Sequence, residues 1–207
     1  MKIFMEAGVP AGVVNFLPGK GSVISSVAMS HPDLGGIHFT GSNGTFNELW
    51  KNAALNLENY KSYPRIVGET GGKDFIIVHP SGDTQAVATA IVRGSFEYQG
   101  QKCSASSRAY IPRSLWPEIS SHLDRQMSEL KTGDPADFST FMNAVIDEKS
   151  FDNIMKYIEL ARASSECQIL HGGKGDKAKG WFVEPTIILT TNPKFVTMQE
   201  EIFGPVM

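Results

Sequence analysis

The sequence is poor in cysteine: it contains only Cys103 and Cys167 in 207 residues. Two cysteines in a chain of this length do not form the dense disulfide framework of small secreted domains, and they are typical of a reducing compartment. Apolar runs are also short, and none approaches the roughly 18 residues that a membrane-spanning helix needs. The sequence therefore predicts neither a disulfide-stabilised module nor a membrane protein.

An excess of charge of either sign is missing as well. Lysine and arginine number 19 and aspartate and glutamate 22, which gives a net charge of −3. This balance provides no electrostatic reason to expect nucleic acid or an anionic membrane as a partner. With 41% hydrophobic and 20% charged residues, the composition is that of an ordinary globular protein of one or two domains.

Two further signals are absent. The five histidines have no spacing typical of metal ligands and no matching set of cysteines or aspartates, so we predict no metal site. Residues 1–6 resemble neither a secretory signal nor an arginine-rich transit peptide.

Segments with strand and helix patterns alternate along the chain. The predicted strands cover 13–17, 36–40, 64–69, 74–78, 107–111, 182–183 and 186–189. The predicted helices cover 1–9, 21–29, 45–57, 83–98, 115–130 and 151–163, and the third begins with a capping box of Thr45 and Glu48. This alternation is typical of an α/β protein with a largely parallel sheet. Since the chain opens inside a helix and stops on an apolar pair, we expect a piece of a longer enzyme.

Cys103 stands among small and polar residues, between Gly100 and Ser106. A cysteine has an ordinary pKa of about 8.5, so it acts as a nucleophile only in a polar setting with a nearby base or dipole. The residues alone favour a nucleophile and a plain loop cysteine about equally.

Three other places have both a functional and an ordinary interpretation. Gly41 and Ser42 lie between a strand and a helix, a turn that suits a phosphate but that every strand–helix unit needs in some form. Glu69 ends a predicted strand, where it is either a general base or a solvated partner of Lys73. Glu201 is either a ligand for the two hydroxyls of a ribose or a surface charge.

Taken in order, these stretches resemble the aldehyde dehydrogenase superfamily, whose motifs match Gly41–Ser42, Glu69–Lys73, Gly100–Cys103 and Glu200–Pro205. The resemblance implies an α/β fold with a parallel-sheet Rossmann-type cofactor domain followed by an α/β catalytic domain, both partial here. It implies that residues 1–70 are the C-terminal part of the NAD-binding domain and residues 71–207 the N-terminal part of the catalytic domain.

The resemblance also implies a role for each matched residue. Cys103 is the nucleophile and Glu69 the general base. The cofactor is NAD, with Gly41 and Ser42 at its pyrophosphate and with Glu201 and Phe203 at its nicotinamide ribose and ring.

Finer motifs are similar to the branch of the superfamily that oxidises L-glutamate γ-semialdehyde, the open form of 1-pyrroline-5-carboxylate, to L-glutamate in proline catabolism. They include Phe46, which stands where the superfamily usually has glycine, and the stretches 133–136 and 183–185. This likeness implies that Ser104 binds the carboxylate of a small-molecule substrate. It also implies a mitochondrial matrix location and a full-length parent that forms a homo-oligomer.

Other interpretations stay open. A dehydrogenase that transfers the acyl group to coenzyme A would not need Glu69. A cysteine-dependent hydrolase would need a histidine partner for Cys103, and none of the five histidines lies in a matching motif. The remaining alternatives are an aldehyde dehydrogenase of other specificity and a truncated form that is inactive on its own.

Overall fold

The computed structural model describes all 207 residues, and the chain divides into two compact units, Met1–Gly71 and Gly72–Met207. Strands and helices alternate from Gly36 to Glu69 and from Asp74 to Glu129, as the sequence predicts, whereas four strands follow one another between Cys167 and Thr190. No helix combines the length and the apolar character needed to cross a membrane.

The first unit contains one parallel pair of strands and three helices. Its elements are α1 (Lys2–Glu6), α2 (Gly21–Ser30), β1 (Gly36–Thr40), α3 (Asn43–Leu55), a 3-10 turn (Leu57–Asn59) and β2 (Arg65–Glu69). β1 and β2 pair in parallel, with Thr40 opposite Glu69. The two carboxyl ends of the strands therefore lie side by side.

The predicted strand at residues 13–17 is wrong, since the structure has no strand there. Phe16 and Leu17 are exposed, and Gly12 just before the segment has a left-handed φ of +86°. An apolar run becomes a strand only when a neighbouring strand accepts its hydrogen bonds. No strand of the chain pairs with this segment.

The start of α3 also differs from the prediction. The helix begins at Asn43, and the Oγ of Ser42 accepts a hydrogen bond from the backbone N–H of Thr45 at 3.2 Å. Ser42 is therefore the N-cap, and the predicted capping box of Thr45 and Glu48 is wrong. Both Ser42 and Thr45 are residue types that cap helices, so the sequence pattern could not choose between them.

The second unit contains the other strands and helices. These are β3 (Asp74–Ile77), α4 (Thr84–Phe96), a 3-10 turn (Glu97–Gly100), β4 (Ser106–Tyr110), α5 (Trp116–Glu129), α6 (Glu148–Ala163), β5 (Cys167–His171), β6 (Gly175–Asp176), β7 (Phe182–Val183), β8 (Ile187–Thr190) and α7 (Val196–Gln199). β3 and β4 are parallel, whereas β5–β8 and β6–β7 are antiparallel. The antiparallel pairs follow from the short β6–β7 hairpin, which turns the chain back on itself.

Two hydrophobic clusters form the core of this unit. The first surrounds α4 and α5 and includes Ile91, Phe96, Ile119 and Leu123. The second packs α6 against the end of the chain, with Phe151, Ile154, Tyr157, Ile158, Val183, Ile202 and Val206. Because Ile202 and Val206 are buried in the second cluster, the backbone between them is fixed against α6.

Candidate active site

In the first unit, the turn after β1 lies beside the end of β2. The backbone N–H of Gly41 donates to the carbonyl oxygen of Glu69 at 3.1 Å. Both residues and Ser42 are exposed. The structure therefore brings Gly41, Ser42 and Glu69 together at the carboxyl edge of a parallel strand pair, the edge where α/β folds place ligands.

This turn has features that suit a phosphate group. Ser42 caps α3, a helix of 13 residues, and the N-terminus of such a helix presents backbone N–H groups and a positive dipole end. A Cβ added to Gly41 would lie 2.6 Å from the ring of Phe39, so the turn accepts only glycine without a shift of that ring.

Phe46, the residue that departs from the superfamily pattern, has a packing role. Its ring stacks on Phe39 with a centroid separation of 5.9 Å, and it covers Gly68, where an added Cβ would overlap the ring of Phe46. Glycine at position 68 therefore leaves room for the ring of Phe46 between β2 and α3. A larger residue at position 68 would overlap that ring.

In the second unit, three residues with a left-handed backbone conformation lie between α4 and Cys103. Tyr98, Gln99 and Gly100 have φ values of 50°, 58° and 63°. Left-handed backbone costs a residue with a Cβ about 1–2 kcal/mol, so Tyr98 and Gln99 store local strain. A Cβ at Gly100 would overlap the carbonyl oxygen of Gly204, which makes glycine necessary there.

Cys103 and Ser104 are the two central residues of a four-residue turn. The backbone N–H of Ala105 donates to the carbonyl oxygen of Lys102 at 3.0 Å and closes the turn. Cys103 is half-buried and Ser104 is exposed. The side chain of Lys102 points to Glu97, with Nζ and Oε2 3.4 Å apart. The turn thus presents Cys103 and Ser104 next to each other.

Gly72 contacts both the turn that carries Cys103 and the segment that carries Glu201. Its backbone N–H donates to Oε1 of Glu201 at 3.1 Å. On its other side, a Cβ would lie 2.6 Å from the carbonyl oxygen of Cys103. The structure therefore brings Cys103 and Glu201 to opposite sides of a single glycine, although they are 98 positions apart in the sequence.

Glu201 and Phe203 flank a buried residue. Ile202 is only 3% exposed, whereas Phe203 is 45% exposed and Glu201 is also exposed. Phe203 has a left-handed φ of +57°, an uncommon conformation for an aromatic residue. Because exposed and buried residues alternate here, the two predicted cofactor ligands, Glu201 and Phe203, lie on the side away from the core.

Two charged residues lie beside this site: Lys73, which ends the motif Glu69–Lys73 but was given no role in the chemistry, and Arg108, which the sequence does not indicate. Nζ of Lys73 donates to the carbonyl oxygen of Ser107 at 3.4 Å, and Nη1 of Arg108 donates to the carbonyl oxygen of Met198 at 2.9 Å. Burial first, and then the positive charge of Arg108, lower the pKa of Lys73 to about 8, while the carboxylate of Glu201 acts in the opposite direction. Arg108 is one residue of a predicted strand and gives no separate sequence signal, whereas Lys73 immediately precedes β3.

Tyr157 of α6 is another residue near the site that the sequence does not indicate. Its hydroxyl donates to Oε2 of Glu200 at 2.6 Å. This hydrogen bond, followed by burial, raises the pKa of Tyr157 to about 12. In the sequence, Tyr157 is one more residue of an amphipathic helix, and its partner lies 43 residues away.

Comparison with known proteins gives the same family as the motifs. A family model described as "Aldehyde dehydrogenase family" matches residues 1–207. The chain is 54% identical over 208 residues to a Dictyostelium discoideum protein named mitochondrial delta-1-pyrroline-5-carboxylate dehydrogenase. It is 49% identical over 207 residues to a human protein of that name. Each match covers 100% of this chain and 37% of the relative, so the chain spans little more than a third of their length.

Solved structures show the same similarity. The delta-pyrroline-5-carboxylate dehydrogenase of Mycobacterium tuberculosis, in a crystal structure bound with NAD, matches with a TM-score of 0.92 and 42% identity over 100% of this chain and 37% of that one. A 1-pyrroline-5-carboxylate dehydrogenase from Thermus with bound NAD matches with a TM-score of 0.91 and 35% identity, over 100% of this chain and 39% of that one.

Proposed function

Because this chain belongs to the aldehyde dehydrogenase family, we propose that it serves the NAD-dependent oxidation of L-glutamate γ-semialdehyde to L-glutamate in proline catabolism. The observation that carries this proposal is the double contact of Gly72, which adjoins the carbonyl of Cys103 and binds the carboxylate of Glu201. The proposed nucleophile and a proposed cofactor ligand are thereby positioned together. The names of the relatives indicate the substrate.

Cys103 begins the reaction. Its thiolate attacks the aldehyde carbon, so that a sulfur–carbon bond forms and the carbonyl oxygen takes the negative charge. That oxyanion needs hydrogen-bond donors, and the backbone N–H of Cys103 is one of them. The adjacent hydroxyl of Ser104, which is exposed on the same turn, binds the carboxylate of the substrate.

NAD fits the residues present in each unit considered by itself. The capped helix start at Gly41 and Ser42 suits its pyrophosphate, and Glu201 and Phe203 would bind the nicotinamide ribose and ring. When bound, NAD⁺ supplies the acceptor for the hydride that leaves the aldehyde carbon. The chain's own residues then release the product: Glu69 takes a proton from water, which attacks the thioester on Cys103 and frees L-glutamate.

We further propose that residues 1–70 belong to the NAD-binding domain and residues 71–207 to the catalytic domain. Relatives with mitochondrial names support a location in the mitochondrial matrix, and the family resemblance supports a homo-oligomer of the full-length protein.

Substitution of Cys103 tests the proposal. In a full-length protein that carries this sequence, Cys103→Ala should abolish NADH formation from 1-pyrroline-5-carboxylate. Cys167→Ala is the matched control, since Cys167 lies in β5 and burial raises the pKa of its thiol. It should retain the wild-type rate. Retained activity in Cys103→Ala would contradict the proposal, and substrate hydrolysis without NADH would favour the hydrolase alternative.

The role of Glu69 is tested separately. Glu69→Gln removes the base but keeps the size of the side chain, so acylation should outrun deacylation. A thioester adduct on Cys103 should then accumulate and be visible by intact mass after mixing with substrate and NAD⁺. An unchanged steady-state rate without adduct would show that another group activates the water.

A further inference from the structure

We propose that Tyr157 is a positioning residue for the cofactor ligands Glu201 and Phe203, and that it acts through Glu200. The inference rests on the proposed function, in which those two residues bind the nicotinamide ribose and ring. Tyr157 lies on α6 and touches neither substrate nor cofactor in this account. It fixes the backbone from which the two ligands project.

The contact between Tyr157 and Glu200 is well placed for this role. Tyr157 is 9% exposed and belongs to the second hydrophobic cluster, so its hydroxyl has a fixed position. That hydroxyl donates to Oε2 of Glu200 at 2.6 Å, and a hydrogen bond to a charged acceptor is stronger than one between neutral groups. Since the pKa of Tyr157 is raised to about 12, the hydroxyl remains a donor near neutral pH.

The segment around Glu200 is fixed from several directions. Arg108 donates to the carbonyl of Met198 at 2.9 Å, and Gly72 donates to Oε1 of Glu201 at 3.1 Å. Ile202 is buried in the same cluster as Tyr157. Within this set, Tyr157 provides the side-chain hydrogen bond from α6, and its acceptor immediately precedes the proposed ribose ligand.

α6 also contacts the far side of the ligand pair. Gly204 packs so closely on Ile154 that an added Cβ would overlap that side chain. Ile154 precedes Tyr157 by three positions, so the two residues lie on one face of the helix. α6 therefore contacts the chain both just before Glu201 and just after Phe203.

Phe203 has a strained backbone conformation, and the contacts with α6 help to maintain it. A non-glycine residue keeps a left-handed φ, here +57°, only where its surroundings determine it strongly. Loss of the Tyr157 hydroxyl releases Glu200 and lets the neighbouring backbone relax away from the cofactor-binding position. The affected quantity is the affinity for NAD, because Cys103 and Ser104 lie on a separate turn.

The experiment uses a full-length protein that carries this sequence, with Tyr157→Phe as the first variant. We expect its KM for NAD⁺ to rise about tenfold, the equivalent of about 1.4 kcal/mol at 25 °C. The KM for the aldehyde should stay within about twofold of wild type. Tyr63→Phe is the matched control, because Tyr63 is 84% exposed in the first unit, and it should change neither constant.

Variants of the partner separate positioning from a general structural role. Glu200→Ala should reproduce the rise in KM for NAD⁺, and the double variant with Tyr157→Phe should add little to it. Glu200→Gln retains an oxygen that accepts from the tyrosine and should recover part of the affinity. If Tyr157→Phe does not fold, Glu200→Ala alone tests the same link, since Glu200 is exposed.

The outcomes distinguish a failure of the proposed function from a failure of the role assigned to Tyr157. A wild-type protein that makes no NADH from 1-pyrroline-5-carboxylate contradicts the proposed function, whatever the variants do. An active wild type whose Tyr157→Phe and Glu200→Ala variants keep the KM for NAD⁺ within twofold overturns the role of Tyr157. A fall in kcat alone, with both KM values unchanged, overturns it equally, because that is the signature of a smaller folded fraction.

Discussion

Gly72→Ala should reduce turnover more than any loss of stability explains, because Gly72 adjoins both parts of the proposed site in the second unit, the turn of Cys103 and the side chain of Glu201. A Cβ at this position would lie 2.6 Å from the carbonyl oxygen of Cys103 and 3.2 Å from Oδ1 of Asp74. The carboxylate of Asp74 is a flexible side chain and can move. The carbonyl is backbone, so the turn that carries Cys103 has to shift.

The size of the shift follows from the contact distance. Ordinary van der Waals contact for a Cβ begins at 3.4 Å, so the turn or Gly72 itself moves by about 0.8 Å, and a misplacement near 1 Å can cost about a hundredfold in rate. We therefore expect kcat to fall roughly 10- to 100-fold. Because the N–H of Gly72 also binds Glu201, the KM for NAD⁺ should rise as well.

Steady-state kinetics of the full-length protein measure both effects, and the rate of Cys103 alkylation by iodoacetamide reports the turn without the cofactor. Gly21→Ala is the control, since nothing lies within 4 Å of the position a Cβ would take there. It should leave kcat and both KM values unchanged. A Gly72→Ala protein with wild-type kcat and wild-type KM for NAD⁺ would refute the reasoning from this contact.

Two further predictions concern the fold. Ser42→Ala removes the acceptor for the N–H of Thr45 and should destabilise the protein by about 1 kcal/mol in thermal melting, whereas Glu48→Ala should stay within about 0.5 kcal/mol; equal losses would restore the predicted capping box. For Lys73, whose pKa is lowered to about 8 from an ordinary value of about 10.4, the unfolded chain binds the extra proton between those pH values, so this residue's contribution to stability rises with pH. The stability of wild type relative to Lys73→Met should therefore increase from pH 7.5 to pH 9.5, and a decrease would contradict the burial of that charge.

The fold class and the order of elements were predictable because periodicity records which side chains are buried. The sequence predicts α5 at residues 115–130, and the helix covers Trp116–Glu129, since Ile119, Leu123 and Met127 form a regular buried stripe. The sequence predictions are wrong where a contact with another residue or strand decides whether an element forms or where it begins. Residues 13–17 lack a neighbouring strand, and α6 begins at Glu148 rather than Phe151 because Asp147 caps it through the N–H of Ser150.

The difference between features recorded in the local sequence and features that depend on a distant partner also explains which site residues the sequence could indicate. Cys103, Glu69 and Gly41 lie in turns or at a strand end and belong to the family motifs, which indicate them although each residue alone also has an ordinary interpretation. Tyr157 and Arg108 lie in regular elements, where a core role accounts for them equally well. Their positioning contacts join residues 43 and 90 positions apart, and such pairings arise only when the chain folds. A sequence motif can therefore identify the groups proposed to perform the chemistry, whereas the residues that fix their positions emerge from the three-dimensional contacts.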